Sequence, residues 1–203
     1  MREPTKMGRP REFDENEALA AIMDVFWTKG FAGASMRDLV GATGLKKGSL
    51  YAAFGDKRAM YHKALAFYDR TRIDSMVQGL KSGGPPITRI DRFLRSAIDG
   101  AAGQGDARGC FICNASIDQA PIDPDAGQLV QASLRRLEAA LAGVVSEFWA
   151  DAKRPHASEK NASRKARHLM SVYFGLRVLA KAGAVPEVLD DAKRAALQTL
   201  TDS

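Results

Sequence analysis

Apolar residues recur at spacings of three and four along most of this chain, and no long run alternates apolar with polar positions. Side chains three and four apart share one face of an α-helix, whereas a half-buried strand needs a period of two. The pattern is longest over Asp125–Ala150, where Val130, Leu134, Leu137, Leu141, Val144 and Phe148 make one stripe. Such a chain can only bury stripe against stripe, so the expected fold class is all-α, with about nine helices.

Capping residues and glycines divide the pattern. Asp14, with Glu17 three residues on, opens a first helix that Gly30 ends. Ser35 and Asp38 open a second, stopped by Gly44. A short third runs over about Lys46–Phe54 and stops at Gly55. Asp56 caps a fourth that reaches about Leu80, roughly 35 Å at 1.5 Å per residue. Beyond the break "KSGGPP" the pattern predicts helices over Ile87–Ala102, the short "CFICNASID", Asp125–Ala150, Ser163–Ala182 and Pro186–Leu200. The early helices are short and glycine-punctuated, and the later ones longer and more apolar. The expected division is a basic arm over 1–12, a unit of three helices over 13–60 and a helical unit over 61–203.

Composition narrows the class. Of 203 residues, 45% are hydrophobic and 27% charged, as in ordinary globular proteins. The opening residues do not read as a signal peptide, and the most apolar late stretch carries Arg177 and Lys181, so no membrane partner is expected and the reading is cytoplasmic. Two cysteines and three histidines argue against a disulfide scaffold and a metal site. No cofactor and no catalytic residue is expected.

The stretch "LVGATGLKKGSLYAAFGDK" is the most informative. Glycine interrupts its helical content at Gly41, Gly44, Gly48 and Gly55, and each glycine inside a helix costs about 1 kcal/mol relative to alanine. Two short helices joined through Gly44, the second one basic, match a helix-turn-helix. Gly48, with no side chain, lets the start of the third helix approach another backbone. In a major groove, Lys46 and Lys47 would neutralise phosphates, and Ser49 and Tyr51 would donate to phosphate or base. The amides at the start of the fourth helix, with Lys57, could hold another phosphate. Charge placement agrees. Residues 1–11 hold four basic residues against one acid, 12–45 two against six, and 46–63 five against one. In the arm, Arg9 and Arg11 flank Pro10, and such a segment can lie in a narrow minor groove or be a disordered leader. The rival reading is a helical small-molecule-binding protein with solvated lysines and no DNA.

From "FWTKGF" through "LVGATGL" to "KGSLYAAFGDK", residues 10–68 closely resemble the DNA-binding domain of the tetracycline-repressor (TetR) family. The resemblance implies an all-helical homodimer acting on double-stranded operator DNA, most often a repressor released by a small-molecule effector. Ser35 and Thr43 match phosphate-contact positions. Lys46, Lys47, Gly48, Ser49 and Tyr51 match the recognition helix, and Lys57 the lysine opening the fourth helix. Ala52 and Ala53 depart from the family's larger pair, so fewer bases are expected to be read by long side chains.

The helix expected over Ser163–Ala182 is apolar around most of its circumference, so both of its sides should be covered. In the family the last two helices form a four-helix bundle with the partner's. The expected interface residues are Leu169, Val172, Leu176, Val188, Ala192 and Ala196. The family also implies an effector pocket, for which Phe148, Trp149, His168 and Tyr173 are candidates, though each reads more readily as core. Cys110 and Cys113, one helical turn apart, read either as packing or as a redox- or electrophile-sensing pair. For sensing, the helix-start amides and Arg108 would favour the thiolate.

Overall fold

In a computed structural model that describes residues 13–99, 108–153 and 158–201, every element is helical. The arm, with Arg9 and Arg11, lies outside the described residues. The helices are α1 (Glu15–Gly33), α2 (Met36–Thr43), α3 (Lys47–Phe54), α4 (Lys57–Tyr68), α5 (Asp74–Lys81), α6 (Pro86–Asp99), α7 (Phe111–Asp118), α8 (Pro124–Asp151), α9 (Glu159–Lys181) and α10 (Pro186–Gln198). A π-helical turn, Asp69–Ile73, fuses α4 and α5 into one rod, as the single long stripe predicts. Ser133 Oγ donates to Asp69 at 2.6 Å, and Arg136 donates to both Asp69 and Asp74, so α8 grips the rod at that turn. Among the described residues no helix is long and apolar enough to cross a membrane.

Local signals set most boundaries. Asp14 accepts the amides of Asn16 and Glu17, opening α1. Gly30 leaves the helical region at φ 69° and ψ 172°, and one further turn follows before Ala34. Ser158 accepts the Asn161 amide, which starts α9 at Glu159, a turn before the Ser163 expected from the apolar stripe alone.

An aromatic seam positions the N-terminal helices on the rest. From α1, Phe26 meets Tyr61 edge-on at 5.1 Å, and Trp27 meets Tyr68 edge-on at 5.1 Å. Phe111 of α7 packs edge-on against both tyrosines, at 5.7 and 5.8 Å. Each such pair contributes about 0.5–1.5 kcal/mol beyond area burial. The seam therefore couples the α1–α4 unit to α7 through rigid rings. Beside it, His62 Nε2 lies 2.8 Å from Asp123, the residue that caps α8. Burial works against the charge of Asp123, but His62, the Ala126 amide and Arg58 outweigh it and hold the carboxyl below its usual range.

Candidate nucleic-acid interface

α2 and α3 are built by caps rather than by bulk. Ser35 and Asp38 form a reciprocal capping box: the Asp38 amide donates to Ser35 Oγ at 3.2 Å, and the Ser35 amide to Asp38 at 2.9 Å. Gly44 closes α2 in the left-handed region at φ 67°, which turns the chain sharply. Thr43 clips the turn, donating to the Leu39 carbonyl at 2.8 Å and accepting the Leu45 amide at 3.3 Å. Gly55 closes α3 at φ 82°, where a Cβ would sit 2.8 Å from that of Ala59. Asp56 then opens α4 by accepting the Ala59 amide at 2.8 Å.

Leu50 and Phe54, one turn apart, anchor α3 in the core and are fully buried, with Ala53 half-buried beside them. Burying such a pair gives about 1.5–3 kcal/mol each. The outward surface is exposed: Lys46, Lys47, Gly48, Ser49, Tyr51 and Ala52. A Cβ on Gly48 would meet open space, so nothing within the chain requires glycine there. Neither Lys46, Lys47 nor Lys57 is paired with an acid among the described residues; Lys57 Nζ rests 4.7 Å over the Phe31 ring and Lys47 Nζ 5.9 Å from the Tyr51 ring. The structure thus brings five of the expected contact residues onto one exposed basic ridge, with Lys57 at the head of the next helix. The hydroxyl protons of Ser35 and Thr43, by contrast, are committed to Asp38 and Leu39 within the chain. Sequence reasoning missed Lys29, which bonds Asp38 at 2.7 Å and ties α1 to α2. Lys29 and the Ser35 capping bonds hold the Asp38 carboxyl well below the usual carboxylate range. Nine residues separate the pair, beyond any helical spacing rule.

The other expected residues do not converge. His168 is exposed on α9. Trp149 is buried and donates to the Leu200 carbonyl at 3.2 Å, and Phe148 packs half-buried beside it in the chain. Tyr173 stacks on Phe93 at 4.5 Å, and burial and then Cys110 push its hydroxyl up to about 12. Cys110 is buried at the start of α7 and accepts the Tyr68 hydroxyl at 3.6 Å. Arg108 is engaged instead with Asp24 at 2.9 Å and with the Trp27 ring at 4.0 Å. Burial and the neighbouring Cys110 push the thiol of Cys113, the expected resolving partner, up.

Three expected interface residues are corrected. Leu169, Leu176 and Ala196 are buried within the chain itself. Periodicity shows that α9 is apolar on two sides but not which side meets its own core. The outward side carries Ser171, Gly175, Val178 and Leu179, continued by Val185 and Val188, with Val172 and Ala192 half-buried at its edge.

Comparison with known proteins agrees with this geometry. The family model "Bacterial regulatory proteins, tetR family" matches residues 18–64, spanning α1 to α4. The Bacillus subtilis HTH-type transcriptional regulator YezE is 27% identical over 194 residues, which are 96% of this chain and all of YezE. The Escherichia coli HTH-type transcriptional repressor ComR is 26% identical over 188 residues, 90% of this chain and 86% of ComR. Among solved structures, the TetR family regulator CifR, a cysteine mutant complexed with 26-bp double-strand operator DNA, superposes with a TM-score of 0.79 at 28% identity. That match covers 94% of this chain and 98% of CifR. A capped helix-turn-helix presenting an unpaired basic ridge, matched over residues 18–64 by the tetR family model and set on a helical body similar from end to end to such regulators, marks the chain as a DNA-binding transcriptional regulator that resembles the tetR family of bacterial regulatory proteins.

Proposed function

We propose that the chain is a repressor, not an enzyme, that grips an imperfectly palindromic operator as a homodimer in the cytoplasm and is released by a small-molecule effector. One observation carries the DNA reading: Lys46, Lys47, Ser49 and Tyr51 are exposed while Leu50 and Phe54, with half-buried Ala53 beside them, fix α3 to the core. A surface so sparsely anchored and so basic fits a groove rather than a protein core. It also argues against a helical binding protein without DNA contacts. The dimer reading rests on the outward face of α9 and α10, where Val178 and Val188 are each about half exposed and a Cβ on Gly175 would meet open space. Small residues there let a partner helix approach closely. A two-fold dimer then sets its recognition helices one helical turn apart or a multiple of it.

Fluorescence anisotropy with the DNA beside its own gene tests this reading. Each phosphate contact contributes about 0.9 to the slope of log affinity against log salt. Lys46→Ala, Lys47→Ala and Lys57→Ala should each weaken binding to all sequences alike and flatten that slope. Affinity lost for one operator alone, at unchanged slope, would contradict the phosphate role. The cysteine-sensing alternative is disfavoured by the burial of Cys110 and the raised Cys113 thiol.

A further inference from the structure

Between α5 and α6 lies a cavity of about 270 Å³. Met76, Leu80 and Phe93 form its apolar side, and Arg89, Arg92 and Ser96 its polar side. Among the described residues no acidic side chain lines it. Its volume falls just below the range of about 300–1,000 Å³ typical of drug-sized ligands, so its occupant is small.

Arg89 is the unusual member. It is 6% exposed, a cation inside the protein. Nη1 donates to the Leu80 carbonyl at 2.9 Å and Nη2 donates to Glu147, but Nε is buried with no partner. A buried donor on a cation left without an acceptor is costly, and a bound acceptor would relieve it. Arg92 follows three residues later on the same helix face. It is exposed and has no hydrogen-bond or ion-pair partner among the described residues. The apolar side is backed firmly: Phe93 lies on Tyr173 at an interplanar angle of 25°, and the Tyr173 hydroxyl meets Met76 Sδ at 3.9 Å.

We infer that this cavity takes a small organic anion, a carboxylate on an apolar body, as the effector. The inference rests on the reading of the chain as an effector-released regulator. The carboxylate sits against the two guanidinium groups, whose planar donors suit it, and the apolar body packs on Phe93 and Met76. The site is connected to the DNA-binding unit through the rod. α5 is continuous with α4 across the π-turn, and α4 begins at Lys57, beside α3. An occupant that moves α5 relative to α6 therefore shifts α4 about the turn that Arg136 grips.

The probes are 3-phenylpropanoate and its uncharged amide, titrated calorimetrically into the full chain, with operator anisotropy measured in the same samples. The acid should bind at least about tenfold tighter than the amide, since a charged acceptor strengthens such bonds. Arg92→Gln, at an exposed position outside the helix-turn-helix, should weaken binding of the acid more than that of the amide and so narrow that preference, Arg89 holding the remainder. Met76→Trp should fill the cavity and weaken both, with a melt to confirm the fold. A smaller preference, a preference undiminished in Arg92→Gln, or binding of neither compound overturns the inference. Operator binding without ligand is scored separately: its failure would sink the regulator reading while leaving an anion site intact.

Discussion

Replacing Gly48 by alanine separates what the fold needs from what DNA needs. Gly48 is the second residue of α3, has no left-handed φ, and a Cβ there would meet open space. Within the chain the substitution should therefore help. Glycine costs a helix interior about 1 kcal/mol relative to alanine, and the first turn realises part of that, so a gain of roughly 0.5–1 kcal/mol is expected. For a chain of this size each kcal/mol moves the melting temperature by about 2–4 °C. Against DNA the sign reverses. A methyl group at the start of a groove-facing helix holds the backbone off the phosphates. One lost charge-assisted hydrogen bond corresponds to about 1.5–3 kcal/mol, roughly a tenfold to hundredfold loss per half-site. Melting and operator anisotropy on the same preparation measure both. Gly143→Ala is the control: that glycine lies on α8, also with open space beyond it, and should gain stability without losing affinity. Unchanged affinity in Gly48→Ala would refute the close approach of α3 to DNA. A fall in its melting temperature would refute the reasoning about open space.

Gly55→Ala should behave oppositely, losing roughly 1–3 kcal/mol in a denaturant titration, because φ is 82° and the new Cβ would sit 2.8 Å from that of Ala59. Val178→Asp combined with Val188→Asp should yield a folded monomer by sedimentation, since both side chains are about half exposed in the single chain. Leu176→Asp should instead lower the melting temperature sharply, as it places an unpaired charge at a site 1% exposed. Asp38 has a folded-state pKa held below its unfolded value by Lys29 and Ser35, so its contribution is present above about pH 5 and is lost as pH falls through 4 and lower. Asp38→Asn should flatten the acid limb of the stability–pH curve, and an unchanged limb would show that the Lys29 tie contributes nothing.

The parts of this protein legible in its sequence are those whose causes are local. Ser35 with Asp38, Gly44, Gly55 and Asp56 each act within four residues, and the helix-turn-helix they bound stands where the spacing predicts it. What escaped reading depends on residues far apart in the chain. Arg89 finds Glu147 58 positions away, Arg108 finds Asp24 at 84, and His62 finds Asp123 at 61. No period links such pairs, because tertiary packing alone sets their distance. The same limit misassigned α9: its apolar residues announce two covered sides, but Leu169 and Leu176 turn to the chain's own core while Val178 and Leu179 turn out. It also dispersed the aromatic candidates, since Trp149 satisfies its indole on Leu200 and Tyr173 stacks on Phe93. Glycine shows the boundary most clearly. Gly44 and Gly55 are explained by positive φ, a property of the chain alone. Gly48 has no such explanation inside the molecule, and the proposed close approach to DNA would account for glycine at this exposed basic helix start.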